Sequence, residues 1–348
     1  MWCVNENLLE QGMPPKESKL AVMLEKFTKT EKDGEHLLSE NEFILQDRIT
    51  KIKQIIEKYG EDSFYISFSG GKDSTVLSAL IDEAIPGNKI PRVWSHTSIG
   101  LNMVRDFVFE MAKVDDRIQI IYPKTPIAPM LKKEGYPFKS KKHAHMVDRY
   151  QRKGLLPSVM SYLGFGNWGP KQQCPKKLKY QFTDLFKLRV SDKCCVKMKE
   201  NPLDNWGKAH GKQHALIGTM REEGGRRGNL QCLSFRKKKL YAFQPLAPLS
   251  KAWEDWYIEY RGVKICLIYL PPYNFKRTGC KGCPFALHLQ EELDTLEKYF
   301  PEERKQCELL WEPVYAEYRR IGYRLRPDKQ VEGQLQMNFT GQVLSGIK

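Results

Sequence analysis

Residues 64–77 constrain this chain more than any other stretch. A short apolar run, Phe64–Phe68, reads as a buried strand. It halts at Ser69-Gly70-Gly71-Lys72-Asp73-Ser74, after which Val76, Leu77, Leu80 and Ile81 recur at helical spacing. A strand, a glycine turn and a helix start in direct succession make an anion site. The first N–H groups of a helix have no partner within it, and the helix dipole favours negative charge there. Gly70 and Gly71 let the backbone turn tightly and approach a ligand. Ser69 and Ser74 add hydroxyls, and Lys72 adds a full positive charge. The stretch is not the loop Gly-x-x-x-x-Gly-Lys-Ser/Thr, because only Gly71 separates Gly70 from Lys72. The plainer alternative is a strand–turn–helix with a capping Ser or Asp.

The surrounding residues alternate in the same manner. Strands are expected at Phe64–Phe68, Ile90–Ser95 and Arg117–Tyr122, with helices at Ser74–Ala84 and Leu101–Lys113 between them. That rhythm implies an α/β fold with a doubly wound parallel sheet, in which ligands sit beyond the carboxyl ends of the strands. Loop 69–74 and the residues after strands two and three then border one pocket. Residues 1–60 read as a helical N-terminal segment, with Leu45, Ile49, Ile52 and Ile56 on one face. Residues 126–180 carry Pro126, Pro129, Pro137, Pro157, Pro170 and Pro175 and read as loop-rich, an insertion or lid over the pocket. A further strand, Ala215–Gly218, leads into a segment rich in Arg and Gly at 219–228, and residues 285–348 read as a helical tail. The expected organisation is therefore 1–60, 61–284 and 285–348.

The net charge of +15 attracts polyanions such as nucleotides, nucleic acid or an acidic protein. Basic residues gather at Lys132-Lys133, Lys139–His145, Arg149–Lys153, Lys171–Lys179 and Arg236–Lys239, without an aromatic-interleaved basic repeat. No run approaches the roughly 20 apolar residues of a membrane span, and the N-terminus lacks a basic stretch followed by an apolar one. A cytoplasmic protein is expected. In that compartment nine cysteines point to metal or catalysis rather than disulfides.

Four of them form a pattern: Cys194-Cys195 and Cys280-Lys281-Gly282-Cys283. Four thiolates suit Zn²⁺ or an iron–sulfur cluster. Adjacent cysteines, with Cα atoms about 3.8 Å apart, fit poorly onto one small ion, whereas the iron corners of a cubane are more widely spread.

Ser69–Ser74 resembles the pyrophosphate loop, Ser-Gly-Gly-x-Asp-Ser, of the ATP pyrophosphatase superfamily, with its adenine nucleotide alpha hydrolase-like fold. Enzymes of that kind cleave ATP between the α and β phosphates and adenylate a substrate. Cys194-Cys195-Val-Lys-Met-Lys-Glu-Asn-Pro-Leu resembles the Cys-Cys-x-x-Arg/Lys-Lys-x-x-Pro-Leu stretch of the adenylyl-sulfate and phosphoadenylyl-sulfate reductases, in which a later Cys-x-x-Cys completes a [4Fe–4S] cluster. Gly218-Thr-Met-Arg221-Glu222-Glu223 with Arg226 and Arg227 resembles the segment lining that family's nucleotide site. Gln173-Cys174-Pro-Lys-Lys-Leu-Lys179 and Pro245–Trp256 resemble two further family stretches. The likeness covers roughly residues 40–290.

The resemblance implies ATP on Ser69, Gly70, Gly71, Lys72, Asp73 and Ser74, with Lys72 stabilising the departing pyrophosphate and Asp73 holding Mg²⁺. It implies Gly218, Arg221, Arg226 and Arg227 around the nucleotide, and Cys194, Cys195, Cys280 and Cys283 as cluster ligands, with Zn²⁺ the alternative occupant. The chain departs from the reductases in two ways. It has no cysteine after Cys307, where they carry a nucleophilic one, and it keeps intact a loop that is degenerate in them. Both departures point to an ATP-using relative, similar to the sulfurtransferases of DNA phosphorothioation or tRNA thiolation, with a nucleic-acid acceptor and a sulfur-donor protein as partners. A reductase releasing sulfite is the second reading, with Cys174 or a partner's thiol as nucleophile. A non-catalytic nucleotide-binding module is the third. A smaller departure follows strand two, where the family's Asp-Thr-Gly is replaced by His96-Thr97-Ser98.

Overall fold

The computed structural model describes residues 38–224 and 227–327. They fall into two compact units. One comprises the residues up to Glu134 together with Lys193–Lys281, the other Gly135–Asp192 together with the residues from Gly282 on.

The first unit is built on a sheet. Its opening helix α1 (Glu40–Tyr59) is started by a capping box, Ser39 accepting from the backbone N–H of Glu42 while the Glu42 carboxylate accepts from that of Ser39. The expected apolar face of α1 is buried: Leu45, Ile49, Ile52 and Ile56. Strands β1 (Phe64–Phe68), β2 (Arg92–Ser95), β3 (Ile118–Ile121), β4 (His214–Leu216), β5 (Leu233–Arg236) and β6 (Lys239–Phe243) form one sheet in the order β3-β2-β1-β4-β6-β5. Every pair is parallel except β5 with β6. Helices α2 (Lys72–Ala84) and α3 (Asn102–Val114) connect the first three strands, and the short α4 (Ile127–Glu134) follows β3.

Alternation along the strands divides the core between the two faces. Phe64, Ile66 and Phe68 point into a cluster with Ile52 and Ile56 of α1, Val76, Leu77 and Leu80 of α2, and Trp253 and Tyr257. Tyr65, Val93, Ala215 and Ala242 face the other way, against Leu203 and Trp206. The sheet is thus covered on both faces, the α/β architecture expected from the rhythm of the sequence.

Residues 126–180, expected to be loop-rich, hold several helices. Besides α4 of the first unit, they include α5 (Lys141–Lys153) and α6 (Pro157–Leu163) of the second. Proline did not prevent this because it stands at helix starts. Pro126 precedes α4, Pro129 lies in its first turn, and Pro157 opens α6. There the absent N–H would have had no helical partner in any case. The first unit then resumes with α7 (Asn201–Ala209) and α8 (Lys251–Arg261), and the second closes with α9 (Leu289–Tyr299) and α10 (Pro301–Arg320), the helical tail. No helix among the described residues is long and apolar enough to cross a membrane.

Candidate functional site

The loop between β1 and α2 has the conformation that its glycines suggest. Gly70 adopts φ +69°, which L side chains rarely tolerate. A Cβ there would also stand 2.4 Å from Cγ2 of Val108, so α3 packs directly against the turn. Gly71 is the N-cap of α2. A Cβ on Gly71 would meet Thr278 Oγ1 and Tyr269 OH, both at 3.0 Å.

The loop's serines stitch it together. Ser74 Oγ accepts from the Ser69 backbone N–H at 3.2 Å and donates to the Gly71 carbonyl at 2.9 Å. The two hydroxyls lie 2.9 Å apart. Their visible part is to fix the turn before any ligand arrives. One of the N–H groups that α2 itself leaves unpaired, that of Lys72, donates to the phenol oxygen of Tyr269 at 3.0 Å, and Tyr269 in turn bonds Thr278. Neither Tyr269 nor Thr278 carries a signal in the sequence.

The Lys72 ammonium is held by two carboxylates from α8, Asp255 Oδ1 at 2.8 Å and Glu254 Oε2 at 3.1 Å. Those carboxylates raise its affinity for the proton, against the opposing and largest influence, burial. Glu254 is buried, its charge met by the Lys72 ammonium. Burial first, and then the charge of Asp73, pushes its carboxyl up to about 7. In the sequence, Trp253-Glu254-Asp255-Trp256 shows only an imperfect family likeness. Its charge contact with the loop is set by the tertiary fold.

Gly218, after β4, lies against the start of α2, where a Cβ would stand 2.6 Å from the Asp73 carbonyl oxygen. That close approach requires glycine. Arg221 is anchored by its Nε donating to the Leu230 carbonyl and by its backbone N–H donating to Ala247. Arg227 lies within electrostatic reach of Asp73 and Arg277, and burial, with the Arg277 charge, depresses its affinity for the proton. Arg226 falls outside the described residues.

At the carboxyl edge of β1 and β2 lies a cavity of about 270 Å³, the position that parallel sheets reserve for ligands. It is bounded by Ser69 of the loop, Trp94 and His96 at the end of β2, Arg105 of α3, Lys199 and Thr278. His96 packs among Trp94, Phe109 and Tyr122, with ring centroids 4.8, 6.0 and 5.4 Å away. Burial, with a contribution from Arg105, lowers its pKa. Ser98, which stands where the resembled family has glycine, keeps a glycine-like φ of +61°.

Cys194 and Cys195 occupy a short helical turn, Lys193–Cys195, that runs into a π-helical turn, Val196–Glu200. Cys280 bridges Gly100 through an isolated β-bridge in the same unit, and Cys283 lies at the start of the stretch assigned to the second. Among the described residues no group of three or more His, Cys, Asp or Glu side chains is gathered as metal ligands. The chemistry of the donor set still suits a cluster. Cys195 is helical (φ −62°, ψ −42°), and successive helical side chains diverge by roughly 100°, so the pair suits separate iron corners better than one ion. Cys174 is buried, and burial pushes its thiol up to about 11.

Residues 170–286 match the family model of the phosphoadenosine phosphosulfate reductase domain. The matched stretch holds the tandem cysteines, the Gly218–Arg227 segment and the Cys-x-x-Cys, all of which carry the resemblance in the sequence. Loop 69–74 lies outside it. No curated protein matches the chain. Among solved structures, a phosphoadenylyl-sulfate reductase from Candida auris aligns at 16% identity and TM-score 0.39, over 71% of this chain and 98% of its own. An FMN adenylyltransferase from Candida glabrata aligns at 12% and 0.40, over 74% and 68%. A U34-tRNA thiolase from Methanococcus maripaludis, solved with its [4Fe–4S] cluster, aligns at 15% and 0.34, over 79% of each chain. Scores at this level do not decide among those activities.

Proposed function

We propose that the first unit binds ATP on loop 69–74 and adenylates an acceptor for sulfur transfer. The observation that carries this reading is the loop itself. A pre-stitched turn with Gly70 at φ +69° and Gly71 capping α2 opens beside a cavity at the carboxyl edge of the sheet. The helix-start N–H groups of Asp73 and Ser74, beyond the Gly71 and Lys72 donors that Ser69 and Tyr269 already hold, would take the β and γ phosphates. Lys72 would leave Glu254 and Asp255 for phosphate oxygens and balance the charge growing on the leaving group. Asp73 would hold Mg²⁺, and Arg221 and Arg227 would meet the α phosphate. An acceptor oxygen would attack the α phosphorus as the bond to the bridging oxygen breaks and pyrophosphate departs. A sulfur nucleophile would then displace AMP.

Cys194, Cys195, Cys280 and Cys283 would hold a [4Fe–4S] cluster, which when bound offers iron sites able to bind sulfur. The reductase-domain match favours the second reading, reduction of an adenylyl sulfate. Against it, Cys174 is buried with a raised pKa, and Cys307 is fully buried in α10. Neither presents the thiolate such a reaction needs. The test is pyrophosphate release from ATP by the purified chain, set against sulfite release from adenylyl sulfate with a thiol reductant. Pyrophosphate supports the proposal. Sulfite without pyrophosphate replaces it by the second reading.

A further inference from the structure

We infer that residues 135–192 form a binding face for nucleic acid with unpaired bases. The inference deepens the sulfur-transfer reading, on which it rests for its meaning, by naming the class of acceptor. These residues hold twelve Lys and Arg against three Asp and no Glu, a surplus of nine of the chain's fifteen net positive charges. The charge belongs to this segment and not to its unit as a whole, since residues 282–327 carry nine acidic residues against seven basic ones.

The fold turns the surplus outward. Arg152, Lys153, Lys176, Lys177, Lys187 and Arg189 are all exposed. Along α5, His145, Arg149, Arg152 and Lys153 are spaced to share one face, and they line a hollow of about 270 Å³. Among the described residues two counter-charges reach that face, Asp192 at 3.4 Å from His145 Nδ1 and Asp148 beside Arg152. They are too few to neutralise it.

Charge of one sign attracts any polyanion, and the aromatic rings make the choice among polyanions. The Lys142 ammonium sits 4.3 Å from the Trp168 ring centroid, and Lys179 sits 6.0 Å from that of Phe165. The Phe165 side chain is 73% exposed. No aromatic–basic repeat exists in the sequence, because these rings reach their lysines across 26 and 14 positions of chain and meet them only through the fold of α5, α6 and the turns that follow. Aromatic rings set among cationic side chains are the recognition elements of unpaired bases, which stack on them. An acidic protein would use the charge and leave the rings idle, and comparison with anionic vesicles separates a membrane, which uses both, from a nucleic acid.

The test is fluorescence anisotropy of a labelled single-stranded oligonucleotide with the full chain, across salt from about 50 to 500 mM. Affinity should fall linearly on a log–log plot. The variant R149E/R152E/K153E should bind at least tenfold more weakly with a shallower slope, by roughly 0.7 for each phosphate no longer neutralised. K176E/K177E, at exposed positions, should show the same trend without disturbing the fold. F165A should weaken single-strand binding several-fold and leave the slope unchanged. Unaltered affinity and slope in both charge reversals, or tighter binding to anionic vesicles or polyglutamate, would overturn the inference. Pyrophosphate release is measured separately with Lys72→Ala. Turnover that survives that change defeats the ATP reading, while oligonucleotide binding that survives the charge reversals defeats this one.

Discussion

Replacing Glu254 by Gln tests the loop's electrostatics most directly. The wild-type carboxyl is 1% exposed, ion-paired to Lys72 and raised to about 7 by burial and by Asp73. In the unfolded chain it titrates near 4.5. Between those two values the folded protein binds a proton that the unfolded chain has lost, so stability falls as pH rises through the window and levels off above it. At about 1.4 kcal/mol per unit, a rise from 4.5 to 7 amounts to about 3 kcal/mol. The amide of Gln cannot ionise, so this pH dependence should vanish in the variant. Glu292, also raised to about 7 by burial, contributes in the same window to both proteins and cancels in the difference. Urea unfolding followed by tryptophan fluorescence, at half-unit steps from about pH 4 to 8.5, reads the effect, with Trp253 and Trp256 flanking the site. Relative to Glu254→Gln, the wild type should lose about 3 kcal/mol between pH 4.5 and 7. A flat difference curve, or a wild type that gains stability with pH, would mean that Lys72 outweighs burial, and the account of the loop's charge would be wrong.

Lys72→Ala should abolish pyrophosphate release and weaken ATP binding by about tenfold or more, the worth of a charge-assisted hydrogen bond, with iron and sulfide content unchanged. Gly70→Ala should cost about 2–4 kcal/mol in thermal or chemical unfolding, because it combines a left-handed conformation with a side chain driven into Val108. Ser98→Gly should stabilise by up to about 1 kcal/mol, since Ser98 already holds φ +61°. Anaerobically purified protein should contain about four irons and four sulfides per chain, by the count of a [4Fe–4S] cluster. One zinc and no sulfide would sink that assignment.

The first strand, the loop and the helix after it were legible in the sequence because each depends on short-range features. A five-residue apolar strand, a glycine pair and a helical periodicity fix their own local conformations. The β5–β6 hairpin was not legible. Its turn uses Lys237 and Lys238, both at positive φ, where a reader of turn chemistry looks for Asn-Gly. Residues 126–180 mislead for the opposite reason. Their prolines are punctuation in any sequence, and only the neighbouring hydrogen bonds decide whether a proline ends a helix or starts one.

The sequence alone determined that a glycine turn joins the first strand to its helix, and it set Cys194-Cys195 and Cys280-x-x-Cys283 in the pattern from which a shared inorganic centre is proposed. Both are matters of residue type at fixed separation. Tertiary structure decided what surrounds the turn. Asp255 reaches Lys72 across 183 residues with Glu254 beside it, Tyr269 caps α2 across 197, and Gly218 lies against Asp73. Contacts at such separations depend on how the sheet is ordered and its helices packed, and no local pattern encodes them.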